Sequence, residues 1–386
     1  MINIDSEYIV VGCGLSGCVI ARYIAEELNK KVTIIDRRNH IGGNMYDYVD
    51  EHGILIHKYG PHTFHTKEKR LYDYMCRFSD WQDYKLHCMA KIDGKFTPTP
   101  FNFKTIDDFY SRKAADNLKN DIKNYFGDRE TATVVELLEC EITSIREFAE
   151  FLFEKDYSLY TAKQWGIHAS KVDKSILKRV PIRFSYDIGY FDDEYQVMPK
   201  VSYVEFFENL LSHKNIEVML NVEALNHIKV SDNEDSILID GKSTNSKIIY
   251  TGALDELFNL SDGALPYRSL RFDFKYEDID SFQDAPVVAY PQEKDYTRIT
   301  EYKKLPAQNV RGTSYAVEYS LKYEFGKEME PYYPVLTQES MKQYQIYRKK
   351  ADKIENLYCC GRLADFKYYN MDQALKRALD LCDKLK

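Results

Sequence analysis

Three glycines near the start of the chain, Gly12, Gly14 and Gly17, follow the spacing G-x-G-x-x-G. They lie between an apolar run, Glu7-Tyr8-Ile9-Val10-Val11, and a stretch from Cys18 to Leu28 with apolar residues at helical spacing. In a strand-turn-helix context each glycine has a task. Gly12 permits the tight turn, Gly14 lets backbone approach a pyrophosphate, and Gly17 lets helix pack on strand. Leu15 and Ser16 complete the turn, and the N–H groups at the helix start favour negative charge. A second apolar run, Lys31 to Ile35, ends at Asp36, nineteen residues after Gly17, where a carboxylate can accept hydrogen bonds from a ribose. The chemistry is dinucleotide binding on a βαβ unit with a right-handed crossover.

Past Asp36 the chain reads Arg37-Arg38-Asn39-His40-Ile41-Gly42-Gly43-Asn44. A glycine pair just beyond the acidic residue resembles the extended FAD-binding motif of glutathione-reductase-like flavoproteins, which favours FAD over NAD. In that arrangement Arg37 or Arg38 lies near the adenosine or pyrophosphate, and Gly43 and Asn44 pass close to the flavin end. Next comes His57-Lys58-Tyr59-Gly60-Pro61-His62-Thr63-Phe64-His65-Thr66, rich in imidazole for a chain with nine histidines. No nearby cysteine or carboxylate completes a ligand set, so no metal is expected. The histidines are either structural or set beside the cofactor, His62 and His65 being the candidates.

These residues need elements to hold them, and 386 residues with 44% hydrophobic content can bury the cores of two or three lobes. The expected class is α/β: a Rossmann-like lobe, a small helical lobe and an antiparallel sheet. The first should use residues 1–80, 200–260 and 345–386, with the short apolar runs Ile216 to Leu220 and Lys247 to Thr251, Val222 at the cofactor, and a C-terminal amphipathic helix. Apolar residues three or four apart place the helical lobe at 100–170. Alternation, as in Arg268 to Phe274 and Tyr315 to Tyr319, places the sheet at 171–199 and 261–344. The net charge of −8 argues against a nucleic-acid partner. The eight cysteines lack metal spacing and read as reduced thiols. No run approaches the ~18 apolar residues of a membrane span, and the first residues lack a signal-peptide pattern. A cytoplasmic protein without membrane insertion is expected.

Eight strings occur in order: HIGGN from His40, HKYG-x-H-x-FHT from His57, YT-x-KQWG from Tyr160, KR-x-P-x-RF from Lys178, GAL-x-YRSL-x-F from Gly263, YTRI from Tyr296, EPYYPV from Glu330 and GRLA-x-x-KYY-x-M from Gly361. Together they resemble the UDP-galactopyranose mutase family over nearly the whole chain. The resemblance implies an isomerase that uses reduced FAD to interconvert UDP-galactopyranose and UDP-galactofuranose through a flavin N5–sugar adduct, supplying furanose donors for surface glycans. It implies that His65, Arg362 and Met371 lie against the flavin, and that Tyr160, Thr161 and Trp165 line the nucleotide site. Arg179, Arg298, Tyr333 and Tyr368 would hold the diphosphate, with Tyr190 on the substrate side; His65, Arg179 and Arg298 would serve catalysis. Arg suits phosphate because its planar fork offers parallel donors. A homodimer is the expected assembly.

Two departures bear on the substrate. Where the family reads Tyr-Tyr-Asp-Met, this chain has Tyr368-Tyr369-Asn370-Met371, and the usual proline-glycine-glycine-tyrosine run appears as Met198-Pro199-Lys200-Val201-Ser202-Tyr203. They leave open another nucleotide sugar, such as UDP-arabinopyranose, UDP-N-acetylgalactosamine or dTDP-fucose. Two rivals share the scaffold: a flavin oxidoreductase of the amine-oxidase kind, and a non-enzymatic binding protein like the GDP-dissociation inhibitors.

Overall fold

The computed structural model describes residues 6–166 and 181–385. A five-stranded parallel sheet is assembled from distant segments, in the order Ile216–Met219, Val32–Ile35 (β2), Tyr8–Val11 (β1), Lys247–Tyr250 and Leu357–Cys359. The strands are nearly continuous apolar runs, as a parallel sheet covered on both faces requires. Helix Leu15–Glu26 (α1) follows β1 and packs against the C-terminal helix Met371–Cys382 and the helix Tyr203–Leu211. Asp47 caps the last of these helices, its carboxylate accepting from the backbone N–H of Tyr203 and Val204.

The helical lobe contains Phe103–Phe109, Arg112–Phe126, Val134–Leu138 and Thr143–Leu152. Asn102 and Thr133 begin the first and third of these helices with reciprocal caps. One π turn, Phe153–Tyr157, then joins directly to the helix Ser158–Trp165. That turn shifts the helical phase and aims Asp156, Tyr160, Thr161 and Gln164 at one cavity.

The largest sheet has seven strands, in the order Tyr333–Pro334, Tyr267–Glu277, Thr313–Lys322, Arg298–Glu301, Val287–Ala289, Cys88–Ile92 and Lys95–Thr99. It is antiparallel except where Val287–Ala289 runs parallel to Cys88–Ile92. Two features differ from the sequence expectation. The hairpin Cys88–Thr99 joins this sheet although it precedes the helical lobe in the chain. Conversely, Tyr195–Pro199, expected in the large sheet, pairs with Phe64–Thr66 and Trp81–Asp83 in a separate three-stranded sheet. Alternation predicts a strand but carries no information on its partner.

Candidate active site

The glycine turn is closed by steric fit. A Cβ on Gly17 would lie 2.0 Å from the carbonyl oxygen of Gly12, and one on Gly12, whose φ is +106°, would lie 2.0 Å from Thr251 Oγ1. The second glycine pair folds back onto the first: Gly42 N–H donates to the Cys13 carbonyl at 2.9 Å, and a Cβ on Gly43 would stand 2.8 Å from Gly14 Cα. Asp36 accepts from the N–H of Cys13 at 2.6 Å and of Arg38 at 2.8 Å, so the carboxylate is fixed at the end of β2. Leu15, Ser16 and Asn44 line the same cavity of about 250 Å³, which begins at the N-terminus of α1.

Arg37 and Arg38 share Glu330, at 2.8 and 3.1 Å. Arg37 also meets Glu223 and Glu256, and Arg38 lies over the Tyr59 ring and donates to Asn44 at 2.9 Å. Val222 does not line the cavity; the three residues after it do. The cradle between the three-glycine turn, the Gly42-Gly43 pair, a helix N-terminus and a fixed carboxylate fits a dinucleotide with its pyrophosphate on α1.

A second cavity of about 280 Å³ adjoins the first, and His62, Arg362, Asn370 and Met371 line both. Arg362 is locked by donation to the carbonyls of Tyr332 and Tyr369, at 3.2 and 3.1 Å. Its guanidinium lies 5.1 and 5.7 Å from the ring centres of Tyr333 and Tyr368, which stack on each other at 5.4 Å. Asn370 starts the C-terminal helix, its N–H donating to Gln373.

Opposite them, Arg298 projects from the large sheet with Nε and Nη2 both 2.6 Å from one oxygen of Glu318. Thr297 Oγ1 donates to the other oxygen. Glu318 is buried, and two guanidinium nitrogens are thereby fixed while the Nη1 edge is left for a ligand. The nearby Glu318 carboxylate holds the guanidinium firmly charged despite burial.

His62 Nδ1–H donates to the Gly60 carbonyl at 2.8 Å. Burial, with help from Arg362 and Arg298, pushes its pKa down to about 4, so the ring is neutral at pH 7 and Nε2 is an acceptor. His65 lines only the second cavity, stacked on Phe191, and its Nδ1 is 2.5 Å from Asp193 Oδ2. Sequence reading missed Asp193, 128 residues away. Since a hydrogen bond to a charged group contributes about 1.5–3 kcal/mol, Asp193→Asn should lower turnover by roughly tenfold or more. Bound cofactor, read from its absorbance, should be unchanged.

Tyr160, Thr161 and Tyr190 line the second cavity as expected, joined by Asp156 and Gln164, which sequence reading did not single out. Burial pushes the Asp156 carboxyl up to about 7, against the pull of Lys163. Lys163 fixes the helix Ser158–Trp165 to the loop between Val287–Ala289 and Arg298–Glu301 by donating to the carbonyls of Tyr290, Glu293 and Tyr296. Arg179 and the side chain of Trp165 lie outside the described residues.

His57 is buried; its Nδ1 accepts from the N–H of His62 at 3.1 Å, so Nε2 carries the proton and has no partner among the described residues. Burial depresses its pKa to about 3. An unfolded imidazole protonates near 6.5, so below that pH the unfolded chain binds more protons and stability falls with pH toward about 3. His57→Asn, which keeps an acceptor for His62, should flatten the dependence of urea midpoint on pH between 6.5 and 4.

Among the described residues no helix is long and apolar enough to cross a membrane, and no group of three or more His, Cys, Asp or Glu could hold a metal. The family model described as UDP-galactopyranose mutase matches residues 155–368, and a NAD(P)-binding Rossmann-like domain matches residues 10–78. A protein of Escherichia coli named dTDP-fucopyranose mutase is 34% identical over 97% of both chains. A probable UDP-galactopyranose mutase of Klebsiella pneumoniae is 34% identical over 98% of this chain and 94% of its own. A crystal structure of reduced UDP-galactopyranose mutase shares the fold, with a TM-score of 0.74 at 14% identity, covering 99% of this chain and 94% of that one. With a family model over more than half its length and relatives alike from end to end, the chain belongs to the UDP-galactopyranose mutase family of isomerases.

Proposed function

We propose that the protein interconverts the pyranose and furanose forms of a nucleoside-diphosphate sugar, with FAD in the first cavity, the sugar nucleotide in the second, and UDP-galactose as the reference substrate. The observation that carries this reading is the junction of the cavities at His62, Arg362, Asn370 and Met371, where a sugar and the reactive end of a dinucleotide cofactor can meet. Gly12, Gly14, Gly17, Gly43 and Asp36 hold the cofactor. When bound and reduced, FAD supplies a nucleophilic nitrogen that can take the anomeric carbon while the nucleotide is detached.

The chain's residues do the rest. The Nη1 edge of Arg298, with Tyr333 and Tyr368 across the cavity, receives the diphosphate and stabilises the charge that builds as it leaves. Held in place by Glu318, Arg298 needs little reorganisation. Neutral His62 offers Nε2 as acceptor to a sugar hydroxyl at the junction. The stacked rings of Tyr333 and Tyr368 limit water at a carbon that water would otherwise hydrolyse. The reading includes a cytoplasmic homodimer that supplies furanose donors for surface glycans. The Escherichia coli relative gives a second reading, dTDP-fucose as substrate.

The test is chromatography of UDP-galactofuranose and dTDP-fucofuranose after incubation with the FAD-loaded protein, with and without dithionite. Conversion to the pyranose only under reduction is expected. A yellow protein that converts neither sugar but oxidises amines would replace this reading with the oxidoreductase one.

A further inference from the structure

A nucleoside-diphosphate sugar is a linear molecule, so two fixed points on it determine where the remainder goes. On the reading above, the sugar meets the cofactor at the junction of the cavities, and the diphosphate meets Arg298, Tyr333 and Tyr368. The nucleoside must then occupy the end of the second cavity away from the junction. That end belongs to the helical lobe. Phe101 and Tyr157, in edge-to-face contact at 5.6 Å, are part of the lobe's core and also line the cavity. Aromatic rings there suit a planar base.

A carboxylate stands at this end without a partner. Asp156, in the π turn Phe153–Tyr157, lines the cavity, and its side chain makes no hydrogen bond or ion pair among the described residues. Lys163 is the charged side chain that acts on it, but that ammonium is committed to the carbonyls of Tyr290, Glu293 and Tyr296. Tyr160 comes four residues later, about 6 Å further along the helix. It feels the charge of Arg298 and lies near Tyr333, whereas Asp156 feels neither. Tyr160 is therefore at the diphosphate and Asp156 one turn beyond it. A carboxylate repels phosphate, so the ligand group that suits Asp156 is neutral and offers an N–H.

We infer that Asp156 reads the nucleobase: its carboxylate accepts the ring N–H that uracil and thymine carry between two carbonyls, and so selects them over cytosine, which has a lone pair at that atom. This assignment rests on the mutase reading above. Asp156 lies at the end of the cavity far from the cofactor, so it acts on binding of the nucleotide and leaves the chemistry at the sugar to other residues. Losing a charged acceptor for a base N–H weakens binding by roughly ten- to hundredfold.

The test is calorimetry on the FAD-loaded protein with UDP, CDP and N3-methyl-UDP, at pH 8, above the carboxyl's value of about 7. Ribose and diphosphate are common to all three ligands. The wild type should bind UDP roughly tenfold or more tighter than either of the others. In Asp156→Ala, UDP should weaken and both ratios should fall towards one, since the acceptor is gone and the methyl group finds room. Asp156→Asn should divide the two ratios. Its amide oxygen still accepts the uracil N–H, so N3-methyl-UDP stays weak, but its NH2 can donate to the cytosine ring nitrogen, so the preference over CDP is lost. Neither substitution breaks a side-chain hydrogen bond among the described residues, and a ratio taken within one variant does not depend on the fraction folded. Equal binding of the three ligands by the wild type, as a contact to ribose would give, or ratios unmoved in Asp156→Ala, would overturn the inference. If UDP itself were not bound, the mutase reading would fall with it.

Discussion

Arg298→Ala should lower kcat/KM for the nucleotide sugar by roughly 10²–10³-fold, in the range seen when one preorganised donor to developing charge is removed. The substitution removes the cation proposed to face the diphosphate and also strips Glu318 of its cationic partner. Glu318 is 1% exposed and would keep, among the described residues, only Thr297 as a side-chain donor. Breaking such a pair from one side costs about 3–5 kcal/mol of stability, so the variant should melt earlier as well. One comparison separates the effects. Arg298→Lys keeps a cation beside Glu318 but loses the planar fork, and should recover most of the stability and little of the turnover. Steady-state kinetics and urea melts on both variants check this; full turnover in Arg298→Ala would remove Arg298 from the diphosphate site.

Gly17→Ala should cost most of the bound cofactor, with flavin content after purification falling by tenfold or more. The added Cβ would stand 2.0 Å from the Gly12 carbonyl oxygen and 3.1 Å from Val10 Cγ1. The carbonyl oxygen belongs to the backbone and cannot swing aside as a flexible side chain could. The helix must therefore back away from β1, carrying with it the N–H groups that would face the pyrophosphate. Overpacking of this kind typically costs 1–3 kcal/mol before any loss of ligand is counted, and lost cofactor binding removes further stability by mass action. The absorbance ratio at flavin and protein wavelengths reads the first effect, and thermal melts with and without added FAD read the second. Wild-type cofactor content would show that the turn holds no dinucleotide.

The sequence by itself determined the parts whose physics is local. Gly12, Gly14 and Gly17 sit where strand, turn and helix must meet within a few residues, so spacing alone gave the dinucleotide cradle, and Asp36 followed from the strand after it. Helical spacing located the helices of the middle lobe, and ordered motif strings over most of the chain were enough to identify the family. What decides the chemistry of the second cavity is not local. Asp193 reaches His65 because Tyr195–Pro199 pairs with Phe64–Thr66, and Glu318 reaches Arg298 because Thr313–Lys322 lies beside Arg298–Glu301. Cys88 and Val287 line one cavity side by side because two strands nearly two hundred residues apart run parallel in one sheet. Alternating apolar residues say that a strand exists and which side it buries; the partner and register come from closing the whole sheet over its core, and only the tertiary structure settles them.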